Sequence, residues 1–339
     1  MLTLHSLIAS TAEVVFKTPP YNSVDSTYQY QQGPIVLSKM PPLRNQGDAG
    51  HCFAFSTASA IDHFLCSEKN SHFDFNDLCL KNLPIVSSLQ LTSLSTGSKE
   101  RVIVEGGFAS GILLTIGQVD PYLILETCAP YEKYLNYLDQ YTNQKQGPES
   151  LFQTVERIYN GQLAQHYSCG TEFARVLANH TLNMDTDQIM SFSRGHYNSF
   201  GELLYNTMIP RRCHGSDKMI HVFQEIDFDS RQGTQFLFQS QIDYDYFYKT
   251  VTEQISQDIP VIINFFTGAS DAEIDRIHSA LITGIQQCKQ KKECKTLFKI
   301  QNSYGDWWQS QYNGGWVQAD PLIERSVYTD LSLVWTKKK

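Results

Sequence analysis

Cys52 closes the polar, glycine-containing run NQGDAGHC and opens a stretch with helical spacing. A thiol at neutral pH is mostly protonated, so a cysteine that attacks carbonyls needs help. A helix N-terminus supplies part of it, because its unpaired N–H groups and its dipole favour the thiolate. A neighbouring imidazolium supplies more, and can later protonate a leaving amine. His278 opens the strand-like run SALITGI, and Asn302 follows the strand-like run TLFKIQ. Two adjacent strand ends can hold His and Asn side by side. The Asn carbonyl then accepts from one ring nitrogen while the other faces the thiolate. Gln46 lies six residues before Cys52, on the loop entering the helix. Its amide can sit beside the backbone N–H of Cys52, where both would meet a developing oxyanion. Such a set performs acyl transfer through a thioester.

The same residues carry a resemblance. The run NQGDAGHCFAFS resembles the papain-family active-site motif, in which an oxyanion-hole Gln precedes the nucleophile by six residues. IHSALITGI resembles that family's His-Ala strand, and QNSYGDWW its Asn-Ser-Trp-Gly segment. LQLTSLST, EGGFASGILL and APYE resemble the helix, the Gly-Gly segment and the Tyr-Pro-Tyr turn that lie between, in the family's order. The resemblance covers about residues 40–133 and 245–339. It implies a cysteine endopeptidase that hydrolyses peptide bonds through an acyl-thioester on Cys52. Gln46 would serve the oxyanion, His278 would be acid and base, and Asn302 would orient the ring. Gly106 and Gly107 would offer backbone to an extended substrate, where a side chain would intrude. Tyr304 would form an aromatic wall over the His–Asn pair. No metal or organic cofactor is implied.

The chain departs from the pattern in places. Phe53 and Tyr304 stand where the family has Trp, Ile277 where Asp or Asn is common, and Ala49 where the family has a half-cystine. Two other functions fit the same residues. One is a cleft-blocked papain-like protein that only binds partners. The other is a thiol-dependent acyltransferase or deamidase. Retention of Gln46, Cys52, His278 and Asn302 together argues against a pure binder, which has no need of all four.

These residues need elements to position them. Ala54, Ala58, Ile61 and Leu65 recur at helical spacing and predict a half-buried helix over about 52–67. Further helices are expected near 89–94, over 108–117, and before Pro260 with Phe247, Val251 and Ile255 on one face. Runs rich in β-branched and aromatic residues predict strands over 35–37, 261–266, 279–285, 296–301, 316–319 and 327–335. The expected class is α+β: a two-lobed papain-like fold with a helical lobe carrying Cys52 and an antiparallel β lobe carrying His278 and Asn302. The expected organisation is an N-terminal extension over 1–39, the helical lobe over 40–133, a helical insertion over 134–240 and the β-rich lobe over 241–339. The extension either packs on a lobe or lies across the cleft.

Hydrophobic residues make up 41% of the 339 and charged residues 18%, enough apolar content for a core and unlike a disordered chain. The formal net charge of -8 repels phosphate backbones, so nucleic acid is not an expected partner; protein or peptide substrates are what the resemblance implies. No stretch of 18 apolar residues exists to span a membrane, and residues 2–16 lack the basic leader of a signal peptide. A secreted monomer is expected. The eight cysteines suit an oxidising compartment. Cys288 and Cys294 flank a short polar loop, as in a hairpin bridge; Cys66–Cys79 and Cys169–Cys213 are the next pairings expected, with reduced buried thiols as the alternative. His63, Cys66, His72 and Cys79 mimic a metal cluster only loosely, since their spacing is irregular.

Overall fold

The computed structural model describes residues 16, 19–22, 33–47, 50–67, 76–95, 109–118, 122–131, 201–202, 205–206, 209–215, 219–221, 226–238, 241–268, 277–288, 294–329 and 331–338. Gly106, Gly107, Cys169 and His72 lie outside the described residues, as does 132–200, which is most of the expected helical insertion.

The C-terminal strand runs are continuously apolar, and a strand apolar on both sides must be covered on both faces. β7 (Val261–Phe266) is buried along its whole length. It lies in an antiparallel sheet whose order is β10 (Trp316–Gln318), β9 (Leu297–Gln301), β8 (Ile277–Gln286), β7, β11 (Leu333–Lys338) and β4 (Ile226–Arg231). β1 (Ile35–Val36) adds to the far half of β8. Gly284 permits this approach, since a Cβ there would lie 2.8 Å from Val36 Cγ1 and 3.0 Å from the Ile35 carbonyl oxygen.

Side chains alternate across the sheet, so each strand feeds two cores. Val261, Ile263 and Phe265 join α5 (Tyr244–Ser256) and α7 (Ala319–Ser326) in one hydrophobic cluster. Ile262, Leu281 and Val334 join a second cluster with α1 (Cys52–Cys66), α3 (Ser88–Ser95) and α4 (Ala109–Gln118). Among the described residues, the remaining α-helices are the short α2 (Asn76–Leu80) and α6 (Gly305–Gln311), and β5 (Leu237–Phe238) pairs with β6 (Gln241–Ile242) apart from the main sheet. The protein is thus a mixed helix-and-sheet structure.

Four expectations need correction. α1 is buried from Cys52 to Leu65 rather than half-buried. Its polar side chains find partners inside: Thr57 Oγ1 donates to the Phe53 carbonyl at 2.7 Å, and Asp62 accepts from Arg44 and from the Val86 N–H. The stretch expected as helical insertion ends in strands. β3 (Met219–His221) pairs with β2 (Tyr122–Ile124), and β4 pairs with β11. The period-two run IDFDSR, with Phe228 packed on the second cluster and acids on either side, accounts for β4. The last segment is not all strand, since α6 and α7 interrupt it and β11 starts only at Leu333. Finally, Cys213 bonds to Cys128 and not to Cys169. The antiparallel β2–β3 pairing brings the chain after Ile124 beside the chain before Met219, where these two cysteines lie. The pairings Cys66–Cys79 and Cys288–Cys294 are present as expected, so Cys66 and Cys79 are disulfide partners and not metal ligands. Among the described residues, no helix is long and apolar enough to cross a membrane.

Candidate active site

Cys52 is the first residue of α1, whose opening turn lacks a side-chain cap. The helix is sandwiched between its helical neighbours and the sheet, so its N-terminus is fixed against β8. There the backbone N–H of Ser279 donates to Cys52 Sγ at 3.3 Å. His278, the residue before, lies close enough for its side chain and that of Cys52 to interact electrostatically. Asn302 follows the last residue of β9, the neighbour of β8, and its Oδ1 lies 2.9 Å from His278 Nε2. With Nε2 engaged by Asn302, Nδ1 is the ring nitrogen left for the Cys52 side. Cys52, His278 and Asn302 are 5%, 4% and 1% exposed, so their charges act in a poorly screened setting.

The electrostatics follow from that closeness. Burial alone pushes the Cys52 thiol up, but the charge of His278 and the N–H groups of Ser279 and Phe53 bring it below its ordinary value. Burial pushes the His278 imidazole down, yet the Cys52 thiolate and Asn302 lift it above its ordinary value. Each group thus favours the charged form of the other.

Aromatic rings enclose the imidazole. Tyr304 stacks on it at 5.3 Å between centroids and 8° between planes. Phe265, its cross-strand partner on β7, meets it edge-on at 5.5 Å. Tyr304 passes directly into α6 through Gly305, whose φ of +69° is one that residues with a side chain rarely adopt.

Gln46 is tied to the same corner. Its N–H donates to the Ser303 carbonyl at 2.7 Å, and its Oε1 accepts from the Ser303 hydroxyl. An isolated bridge between Asn45 and Tyr304 holds the two segments together. The amide oxygen is thereby turned to Ser303, so the NH2 end is the one directed elsewhere. The structure therefore gathers Cys52, His278, Asn302, Gln46 and Tyr304 at one corner.

Three further residues belong to this constellation and were not singled out from sequence. Ser279 and Ser303 directly follow His278 and Asn302, so adjacency was the available signal. Tyr21, whose Oη accepts from Asn302 Nδ2 at 2.9 Å, carried no signal. Among the described residues, no group of three or more His, Cys, Asp or Glu is placed to hold a metal ion.

No family model matches the chain, and no curated protein matches it. Solved structures do. A crystal structure of SERA5E from Plasmodium falciparum is 12% identical, with 87% of this chain and 90% of that one covered and a TM-score of 0.43. Procathepsin L 3 of the Tenebrio molitor larval midgut is 13% identical, covering 94% and 74%, with a TM-score of 0.38. The bromelain protease from Ananas comosus in complex with the E64 inhibitor is 9% identical, covering 88% and 94%, with a TM-score of 0.40.

Proposed function

We propose that the chain is a papain-like cysteine endopeptidase that hydrolyses peptide bonds in protein substrates. The observation that carries this is the meeting at one buried corner of a helix-terminal cysteine, which accepts from the Ser279 N–H, and a histidine hydrogen-bonded to an asparagine, the three coming from separate segments. In this reading Cys52 Sγ attacks the scissile carbonyl carbon. The negative oxygen that forms meets the Cys52 N–H and the NH2 end of Gln46. His278 gives its Nδ1 proton to the leaving nitrogen, the C–N bond breaks, and an acyl-thioester remains on Cys52. A water molecule then loses a proton to His278 and attacks the thioester, releasing the acid and restoring the thiol pair. Asn302 keeps the ring aligned throughout. Gly106 and Gly107 would pair with the substrate backbone, and Tyr304 would shield the imidazole.

The proposed architecture is a two-lobed papain-like fold, with residues 40–133 as the helical lobe and 241–339, together with β4, as the β-rich lobe. Three disulfides among the described residues suit an oxidising, extracellular setting.

Two linked measurements test the proposal. Cys52→Ala should lower hydrolysis of an unfolded protein by about 10^4-fold or more and abolish labelling by an epoxide affinity reagent. The rate-against-pH profile should be a bell. Its acid limb reports protonation of the thiolate, held below the usual thiol range, and its alkaline limb reports loss of the imidazolium proton, held above the usual histidine range. Labelling that persists in Cys52→Ala refutes the assignment. A normal bell for Cys52 alkylation without hydrolysis of any substrate would favour an acyltransferase or a binding protein.

A further inference from the structure

The catalytic asparagine is held from behind by a residue far outside the segments that carry the chemistry. Asn302 has two polar ends. Oδ1 faces His278 Nε2, and Nδ2 donates to Tyr21 Oη at 2.9 Å. An imidazolium presents only N–H donors, so it needs the oxygen end of the amide. A partner that accepts at the nitrogen end favours that orientation and restrains the amide.

Tyr21 is itself wedged. Its ring meets Trp308 edge-on at 4.9 Å and Phe265 edge-on at 5.7 Å, and leans on Tyr312 at 5.5 Å. Phe265 is the same ring that meets the edge of His278, so Tyr21 and His278 share one wall. The segment around Tyr21 is anchored too. The Asn22 carbonyl accepts from the Gln318 N–H at 3.3 Å. Phe16 lies against Phe266 at 6.3 Å, with the Arg325 guanidinium 4.5 Å from its ring.

We propose that Tyr21 is a positioning residue for the proposed hydrolysis: it fixes the Asn302 amide so that His278 is held as an imidazolium facing Cys52. This inference rests on the cysteine-peptidase reading. It makes this part of the N-terminal segment a component of the site and not an obstruction to it. Burial pushes the Tyr21 phenol well above its ordinary value, aided by Tyr304, so the hydroxyl stays neutral across the working range.

The test compares the full chain with Tyr21→Phe, which keeps the ring and removes only the hydroxyl. Two readouts are taken across pH: kcat and KM for a peptide substrate, and the rate of Cys52 alkylation by iodoacetamide, which needs no peptidase activity. With Asn302 less restrained, the imidazolium loses support and the alkaline limb should move to lower pH. The thiolate loses its counter-ion in turn, so the acid limb should move up. The window narrows from both sides, kcat falls about tenfold, and KM changes less than twofold. In an Asn302→Ala background, Tyr21→Phe should change neither limb. The proposal is overturned if Tyr21→Phe leaves both limbs in place, or if it has the same effect with Asn302 removed. Should hydrolysis prove absent while the alkylation limbs still shift, the peptidase reading fails and the role of Tyr21 stands.

Discussion

Removing the Arg44 cation should destabilise the protein by about 3–5 kcal/mol, with a pH dependence that identifies the cause. Arg44 precedes Gln46 by two residues, and its side chain is 4% exposed. One guanidinium nitrogen donates to Asp62 Oδ2 at 2.5 Å and the Val86 carbonyl at 2.9 Å. Another donates to Ser88 Oγ at 2.7 Å and Glu126 Oε2 at 3.4 Å. Arg44→Met keeps much of the volume and leaves the buried Asp62 and the partly buried Glu126 without a cation. They are not wholly abandoned. Asp62 keeps the Val86 N–H at 2.9 Å, and Glu126 keeps the N–H groups of Ser88 and Tyr131, both at 3.0 Å. Those bonds keep the loss within the range for a broken buried pair.

Burial already lifts Asp62 and Glu126 above ordinary carboxylate values even with Arg44 beside them, and without it they rise further. A carboxyl whose folded pKa is raised binds protons more readily when folded. Its contribution is present in full below the unfolded pKa and is lost as pH rises through the folded one. Arg44→Met should therefore recover relative to wild type as pH falls, by up to about 1.4 kcal/mol per pH unit for each proton bound. Arg44→Lys, which keeps a cation, should show a smaller loss and little of this trend. Equilibrium urea unfolding followed by tryptophan fluorescence at several pH values measures all three. A loss below about 1 kcal/mol, or a loss that does not change with pH, would refute the reasoning.

Two further outcomes are expected. Replacing both cysteines of a bridge by Ser should cost most for Cys128–Cys213, whose separation is 85, at about 4–5 kcal/mol by loop-closure entropy; for Cys288–Cys294, whose separation is 6, the cost should be about 2 kcal/mol. Thermal unfolding of each double variant checks the ranking, and a reversed order would mean that native packing outweighs the entropy of the open chain. Tyr304→Ala removes the ring stacked on His278, so the imidazolium should lose about 0.5–2 kcal/mol of support and the alkaline limb of Cys52 alkylation should fall by about half a unit to one and a half units. Tyr304→Phe should leave that limb in place, and a shift as large as that of the alanine variant would assign the effect to the hydroxyl.

How much could be read in advance depended on whether a residue's partner was local. Cys52, His278 and Asn302 were legible because each stands at an element boundary marked by its own neighbours: a glycine-containing loop before a helical stripe, and the ends of two β-branched runs. β7, β8 and β9 of the central sheet were legible because they are runs rich in β-branched and aromatic residues, whereas β4, with acids at alternate positions, was not. The burial of α1 was not. Thr57 and Asp62 look like a solvated face until the backbone and Arg44 that satisfy them are in place. The Cys128–Cys213 bridge depends on β2 and β3 pairing across about ninety residues, a contact that neither short strand announces. Tyr21 is the extreme case, 281 positions from the asparagine it holds, in a stretch with no periodicity of its own. Its ring is bounded by Phe265, Trp308 and Tyr312, which come together only once β7 and α6 have docked. The residues proposed to do the chemistry sit here at or near element boundaries, and such boundaries leave marks in sequence. Residues that hold them still need only a packed wall, and a packed wall is a property of the whole fold.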